Sequence, residues 1–304
     1  MVRAMARTAS ERGEAVGMTH VVVLGSGFVG SAVTDALATR AEVAVYDLPT
    51  HPELAERGEA ARRLLREAVI STGAVAVVNT SGRLRGTEAE MAAANVDWPS
   101  WLVDDVLVGL DVRFVHLGSA AEYGDPGSAD PLPETATPRP SGIYGTSKWE
   151  GTRAVLAARE RGLDAVVARG FNLVGPHLAP VSPLYQFVAD VTALPAGGGE
   201  VEVWWPATIR DFILLDDLAE AVARLALPEV TVEVPDLVNL CAGAAVSFAE
   251  IVEALGVAQE KPVRIRSLDR PGIPAVVGDP TRLVELTGLR PEMSASLIAE
   301  RART

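Results

Sequence analysis

The first sustained run of apolar positions in the chain is His20-Val21-Val22-Val23-Leu24, unbroken and rich in β-branched residues, the pattern of a parallel strand buried on both faces. It passes directly into Gly25-Ser26-Gly27-Phe28-Val29-Gly30, after which the apolar spacing predicts a helix from Phe28 to about Arg40. A second strand is expected over Glu42–Tyr46, and further strands over 74–78 and 112–117, separated by helical stretches near 55–70 and 88–110. Strands alternating with helices of this length imply an α/β fold built on a doubly wound parallel sheet. In such sheets ligands lie beyond the carboxyl ends of the strands. Asn79-Thr80-Ser81-Gly82 and Gly118-Ser119-Ala120-Ala121 both fall at such ends, where small side chains leave room for a cofactor.

The later pattern is less regular. A helix is expected over 181–191, a loop at Ala196-Gly197-Gly198-Gly199, an alternating strand over 201–205 carrying Trp204 and Trp205, a last sheet strand at 238–240 and a helix over 247–255. The two tryptophans read as core filler or as a substrate wall. Residues 1–17 are rich in Arg and Ala but lack the apolar core of a secretory signal, and read as a loose extension.

Composition narrows the partners. The chain has 304 residues, 48% of them hydrophobic and 5% aromatic, which excludes collagen, coiled coil and wholesale disorder. Its 40 acidic residues outnumber 27 basic ones, a net charge of −13 that disfavours nucleic acid and anionic membranes as partners. No apolar stretch approaches the ~20 residues that span a bilayer. The lone Cys241 allows no internal disulfide, so a cytoplasmic setting is expected, and no metal site is expected. Only Lys148 and Lys261 are lysines.

The chemistry begins at the strand–turn–helix G-x-G-x-x-G. Gly25 permits the tight turn, Gly27 lets backbone amides approach a pyrophosphate, and Gly30 lets the helix pack on the strand, with Phe28 and Val29 between them. The anion would sit at the positive end of that helix. Asp47 ends the second strand, where a carboxylate accepts hydrogen bonds from the adenosine ribose. It would repel the extra phosphate of NADP, so NAD is favoured, with NADP as the alternative. Together these imply a Rossmann-like domain over 18–175. Tyr144 and Lys148 stand four apart at a helix start, projecting from one face. The spacing suggests an ammonium lowering the phenol's pKa for proton exchange with an alcohol or ketone, while Ser119 holds the same oxygen in line.

These residues resemble the extended short-chain dehydrogenase/reductase family, whose members mostly act on nucleotide sugars. The resemblance runs from about Thr19 through the glycine turn, Asn95-Val96, Ser119, Tyr123-Gly124, Tyr144/Lys148, Arg169-Gly170-Phe171-Asn172-Leu173-Val174-Gly175-Pro176, Arg210-Asp211-Phe212-Ile213 and Asp216-Asp217. It implies Tyr144 as catalytic acid/base, Lys148 binding the nicotinamide ribose and Ser119 at the reacting oxygen. It further implies Asn95 supporting the site, Asn172 and Arg210 touching substrate beside Ala120 and Ala121, and a homodimer formed through the helices near 89–110 and 144–161. The first turn is one residue shorter than the family's usual form. Ala120 and Ala121 stand where dehydratases of similar sequence carry an acidic pair, which disfavours elimination of water.

The C-terminal stretch, with Arg270-Pro271-Gly272-Ile273-Pro274, Gly278-Asp279-Pro280 and Thr287-Gly288-Leu289, is similar to the end of GDP-4-keto-6-deoxymannose reductases. Leu289 stands where that branch usually has tryptophan, and Arg270 becomes a candidate diphosphate contact. Residues 176–304 are then expected to form a smaller substrate-binding lobe, with 201–240 returning to the sheet. The activity implied is reduction of a keto group on a nucleotide-activated 4-keto-6-deoxysugar. The alternatives are a 4-epimerase that retains its NAD, a ketoreductase of a non-sugar metabolite, and a non-catalytic dinucleotide sensor.

Overall fold

A computed structural model describes residues 19–47, 50–176, 178, 180, 182–227, 234–268 and 272–302. The expected extension over 1–17 and the candidate Arg270 lie outside them. The first half runs β1 (His20–Leu24), α1 (Phe28–Ala38), β2 (Glu42–Tyr46), a 3-10 turn at Pro52–Glu56, α2 (Glu59–Thr72) and β3 (Ala76–Asn79). α3 (Glu88–Ala92), α4 (Trp98–Trp101), β4 (Arg113–Ser119), α5 (Gly142–Glu160) and β5 (Ala165–Gly170) follow. The helix expected over 88–110 is instead a path broken by two π turns, Ala93–Asp97 and Leu102–Val106. Pro99 within it has no N–H to close an ordinary helical bond.

The second half comprises β6 (Asn172–Val174), α6 (Pro183–Ala193), β7 (Gly199–Val203), β8 (Ile209–Arg210), β9 (Phe212–Leu214), α7 (Leu215–Ala226) and β10 (Leu237–Leu240). It ends with β11 (Val246–Ser247), α8 (Phe248–Ala258), β12 (Val263–Ser267), β13 (Ala275–Val276), α9 (Thr281–Thr287) and α10 (Ala295–Arg301). The main sheet has the order β10-β5-β4-β3-β1-β2 and every pairing in it is parallel. The chain leaves β1 toward β2 and crosses back to β3 on the other side. That reversal opens a crevice at the carboxyl ends of β1 and β3.

One face of the sheet packs on α1 and α7, where Val33, Leu37, Leu218, Val222 and Leu225 are fully buried. The other packs on α2, α5 and the second π turn through Leu65, Leu102, Phe114 and Val155. Each such side chain contributes about 1.5–3 kcal/mol of burial. A separate apolar core joins α6, α8, α10 and β7 through Phe187, Val203, Ile251 and Ile298. Of the stretch 201–240, only β10 joins the main sheet and α7 covers it. β7 pairs with β12 instead, and it ends at Val203, leaving Trp204 and Trp205 beyond the strand.

Cys241, just after β10, is fully buried in a small cluster with Tyr123 and Phe171. A Cβ on Gly278 would lie 2.5 Å from its sulfur, so the loop before α9 closes directly over the thiol.

Candidate active site

The glycine turn is built by close approach. Gly25 takes φ +104°, a conformation side chains rarely adopt, and a Cβ there would lie 2.8 Å from Ser81 Oγ. A Cβ on Gly30 would lie 2.1 Å from the Gly25 carbonyl oxygen. Around Gly27 the space is open, and its backbone leads into the N-terminus of α1. Thr80 and Ser81, past β3, donate their hydroxyls to the Leu24 carbonyl at 3.1 and 3.0 Å. They brace the turn from the neighbouring strand, and Thr80 also lines the cleft.

Asp47 accepts hydrogen bonds from the Ser26 hydroxyl and from Thr50, through its backbone N–H at 2.9 Å and its hydroxyl at 2.5 Å. These bonds, Ser26's first, hold its carboxyl below the usual range. A ribose phosphate would face an anion here.

The reacting set gathers in one cleft. The Ser119 hydroxyl accepts from the Ala121 N–H at 3.2 Å and shares the cleft with the Tyr144 phenol. Lys148, only 5% exposed, donates from Nζ to the Leu117 carbonyl at 2.6 Å. The electrostatics correct the expectation from spacing. Burial raises the Tyr144 pKa above its ordinary value, with the Ser119 hydroxyl opposing and the Glu122 charge adding to the rise. Burial also pushes Lys148 down to about 8, against the pull of Glu122.

Asn95, in the first π turn, is buried rather than open to the cleft. It donates to Arg83 O at 2.9 Å and Ser147 Oγ at 3.0 Å, and accepts from Arg83 N at 2.8 Å. Its own carbonyl approaches α5 so closely that a Cβ on Gly151 would lie 2.0 Å from it. Asn79 is likewise fully buried, donating to His116 Nδ1 at 3.0 Å and accepting from Trp98 Nε1 at 3.1 Å. Both side chains are engaged inside the protein and support the site from behind.

The cleft spans about 810 Å³, within the range of small-molecule sites. Gly27, Phe28, Val29 and Gly30 line it together with Ser119, Tyr144 and Lys148. Ala120, Ala121, Asn172 and Arg210 line it too, with Trp204, Trp205 and Phe248, so the tryptophans form a wall and not a core. Asn172 donates to the Asp211 carbonyl at 2.7 Å. Arg210 donates from its two terminal guanidinium nitrogens to Ile209 O and Ile273 O at 2.7 and 3.0 Å, which holds its charged head in the cleft wall. A second, more open depression of about 860 Å³ between α1 and α7 is lined by Asp35, Asp216, Asp217 and Glu220. Those carboxylates would repel a diphosphate.

Three buried groups near the site escape sequence reasoning: Glu122, Arg169 and His116. Glu122 and Arg169 form an ion pair at 2.7 Å. The signals were present, as Ser119 and Glu122 have capping-box spacing and Arg169 ends an otherwise apolar strand. His116 is held well below its ordinary pKa by burial, then by the Lys148 charge.

The NAD dependent epimerase/dehydratase family model matches residues 21–241. The chain is 32% identical over 200 residues to dTDP-6-deoxy-L-talose 4-dehydrogenase (NAD(P)(+)) of Kitasatospora kifunensis, covering 64% of this chain and 62% of that protein. It is 31% identical over 170 residues to dTDP-4-dehydrorhamnose reductase of Mycobacterium tuberculosis, covering 55% and 52%. The matched part thus spans less than two thirds of either relative. In fold it is similar to RMD from Pseudomonas aeruginosa complexed with NADPH, with TM-score 0.73, 23% identity and coverage of 93% and 96%. It is similar also to UDP-glucuronic acid 4-epimerase from Bacillus cereus in complex with UDP-glucuronic acid and NAD, with TM-score 0.76, 16% identity and coverage of 93% and 97%.

Proposed function

This chain belongs to the NAD-dependent epimerase/dehydratase family, and from that premise we propose that it reduces the keto group of a nucleotide-activated 4-keto-6-deoxysugar with NAD(P)H. The observation that carries the reading is the convergence of Ser119, Tyr144 and buried Lys148 on the same cleft as the glycine turn.

The residues fit a dinucleotide. Gly25 and Gly30 compact the turn, open Gly27 and the N-terminus of α1 receive the pyrophosphate, and Asp47 takes the adenosine ribose. When bound, the nicotinamide supplies the hydride. Tyr144 donates its proton to the ketone oxygen, and its raised pKa keeps the phenol protonated at neutral pH. The Ser119 hydroxyl orients that oxygen, and Lys148 places a cation beside it. Arg210 and Asn172 meet the nucleotide's anionic and sugar parts, while Trp204 and Trp205 give an apolar wall. The 31–32% identity to dTDP-sugar dehydrogenase and reductase sequences supports this substrate class.

Incubating the protein with dTDP-, GDP- and UDP-linked 4-keto-6-deoxysugars, each with NADH and NADPH, tests the reading. Tyr144→Phe is expected to lower kcat at least about 100-fold. The 4-epimerase reading draws on Asp47, since tight NAD suits an epimerase. Stoichiometric bound NAD with no net NADH consumption on any 4-keto sugar would establish it in place of the reductase.

A further inference from the structure

Glu122 has no part in the proposed chemistry, yet it is fully buried and touches every element that carries the reacting set. Its Oε1 accepts from the Ser119 backbone N–H at 2.7 Å, at the end of β4, and from the Thr152 hydroxyl at 3.0 Å, on α5. Thr152 lies one turn beyond Lys148 and two beyond Tyr144 on the same helical face. Its Oε2 accepts from Arg169 Nε and NH2 on β5 at 3.0 and 2.7 Å. Arg169 is held in turn by the Tyr123 ring, 4.3 Å from its guanidinium carbon. Tyr123 donates to Asn239 Oδ1 at 2.7 Å, so the brace reaches β10.

We propose that Glu122 is a positioning residue for the reacting set: its carboxylate, braced by Arg169, fixes Ser119 on β4 relative to Tyr144 and Lys148 on α5. An ion pair that only filled the core would gain nothing over apolar side chains of similar volume, because desolvating two charges offsets their attraction. What apolar side chains cannot replace is the acceptor shared by Ser119 N–H and Thr152. Gly118, just before Ser119, is shaped around it, since a Cβ there would lie 2.9 Å from Glu122 Oε1. Ser119 in turn lowers the pKa of the half-buried Tyr144 phenol, and both line the cleft. The proposal rests on Ser119, Tyr144 and Lys148 being the reacting set.

Two charge-neutral pairs of substitutions isolate the acceptor. Glu122→Gln with Arg169→Met keeps an oxygen for Ser119 N–H and Thr152, whereas Glu122→Leu with Arg169→Met does not. Neither leaves an unpaired buried charge. The Leu variant is expected to show kcat about tenfold below the Gln variant with similar KM. Tyr144 ionisation, followed by tyrosinate absorbance after subtracting a Tyr144→Phe control, is expected at higher pH in the Leu variant. Equal kcat and equal titration in the two variants overturns the proposal. If the Leu variant does not fold, Thr152→Val serves in its place, and an unmoved Tyr144 titration overturns the proposal as well. The titration needs no substrate, so wild-type protein inactive on every 4-keto sugar would overturn the functional reading and still leave Glu122 decided.

Discussion

Lys148 combines burial with charge, and that combination sets two measurable pH effects. Its folded pKa of about 8 lies below the ordinary 10.5, so the unfolded chain binds the extra proton between those values. Stability from this group therefore rises as pH climbs from about 8 to 10.5 and is lowest at and below neutrality. Lys148→Met is expected to stabilise the fold at pH 7 by up to about 3 kcal/mol, visible as a higher Tm, while abolishing reduction. In the wild type, kcat/KM is expected to fall as pH rises through about 8, and a Lys148→Arg variant, if active, should lose that limb. The Tyr144–Lys148 pair was legible from its spacing. The direction of the tyrosine's shift was not, because burial is set by α5 lying against β4 and is invisible in a one-dimensional pattern.

At the level of elements, one turn contains two glycines with opposite sensitivities. Gly30→Ala forces a Cβ against the Gly25 backbone, so it is expected to destabilise the protein by about 1–3 kcal/mol with or without cofactor. Gly27→Ala meets open space, so Tm of the free protein should move by less than about 1 kcal/mol equivalent while cofactor affinity drops about tenfold. Thermal unfolding and cofactor titration of both variants check this. If Gly27→Ala binds cofactor normally, the pyrophosphate does not sit there. β1 was readable residue for residue because a strand buried in a parallel sheet is a continuous apolar run, and half-buried β2 at the sheet edge because Val43, Val45 and Tyr46 favour a strand. The π turns were not, since they share the apolar spacing of an α-helix and differ only in which carbonyl each N–H reaches. β12, β13, α9 and α10 went unread because elements this short carry too few positions to show a period.

Across the whole molecule, the cleft draws on both halves: the glycine turn and reacting set from the first, the tryptophan wall, Asn172 and Arg210 from the second. Cofactor at about 100 times its Kd is therefore expected to add about 2.7 kcal/mol, read as a concentration-dependent rise in Tm. A scan independent of NAD(P)H concentration would argue against dinucleotide binding. The arrangement around Cys241 offers a way to watch the same coupling without heating. The chain holds a single sulfhydryl, its ionisation is suppressed by burial, and the loop at Gly278 seals it. A disulfide reagent can therefore reach it only during excursions that separate that loop from the sheet edge, so its modification rate becomes a built-in clock for opening under native conditions.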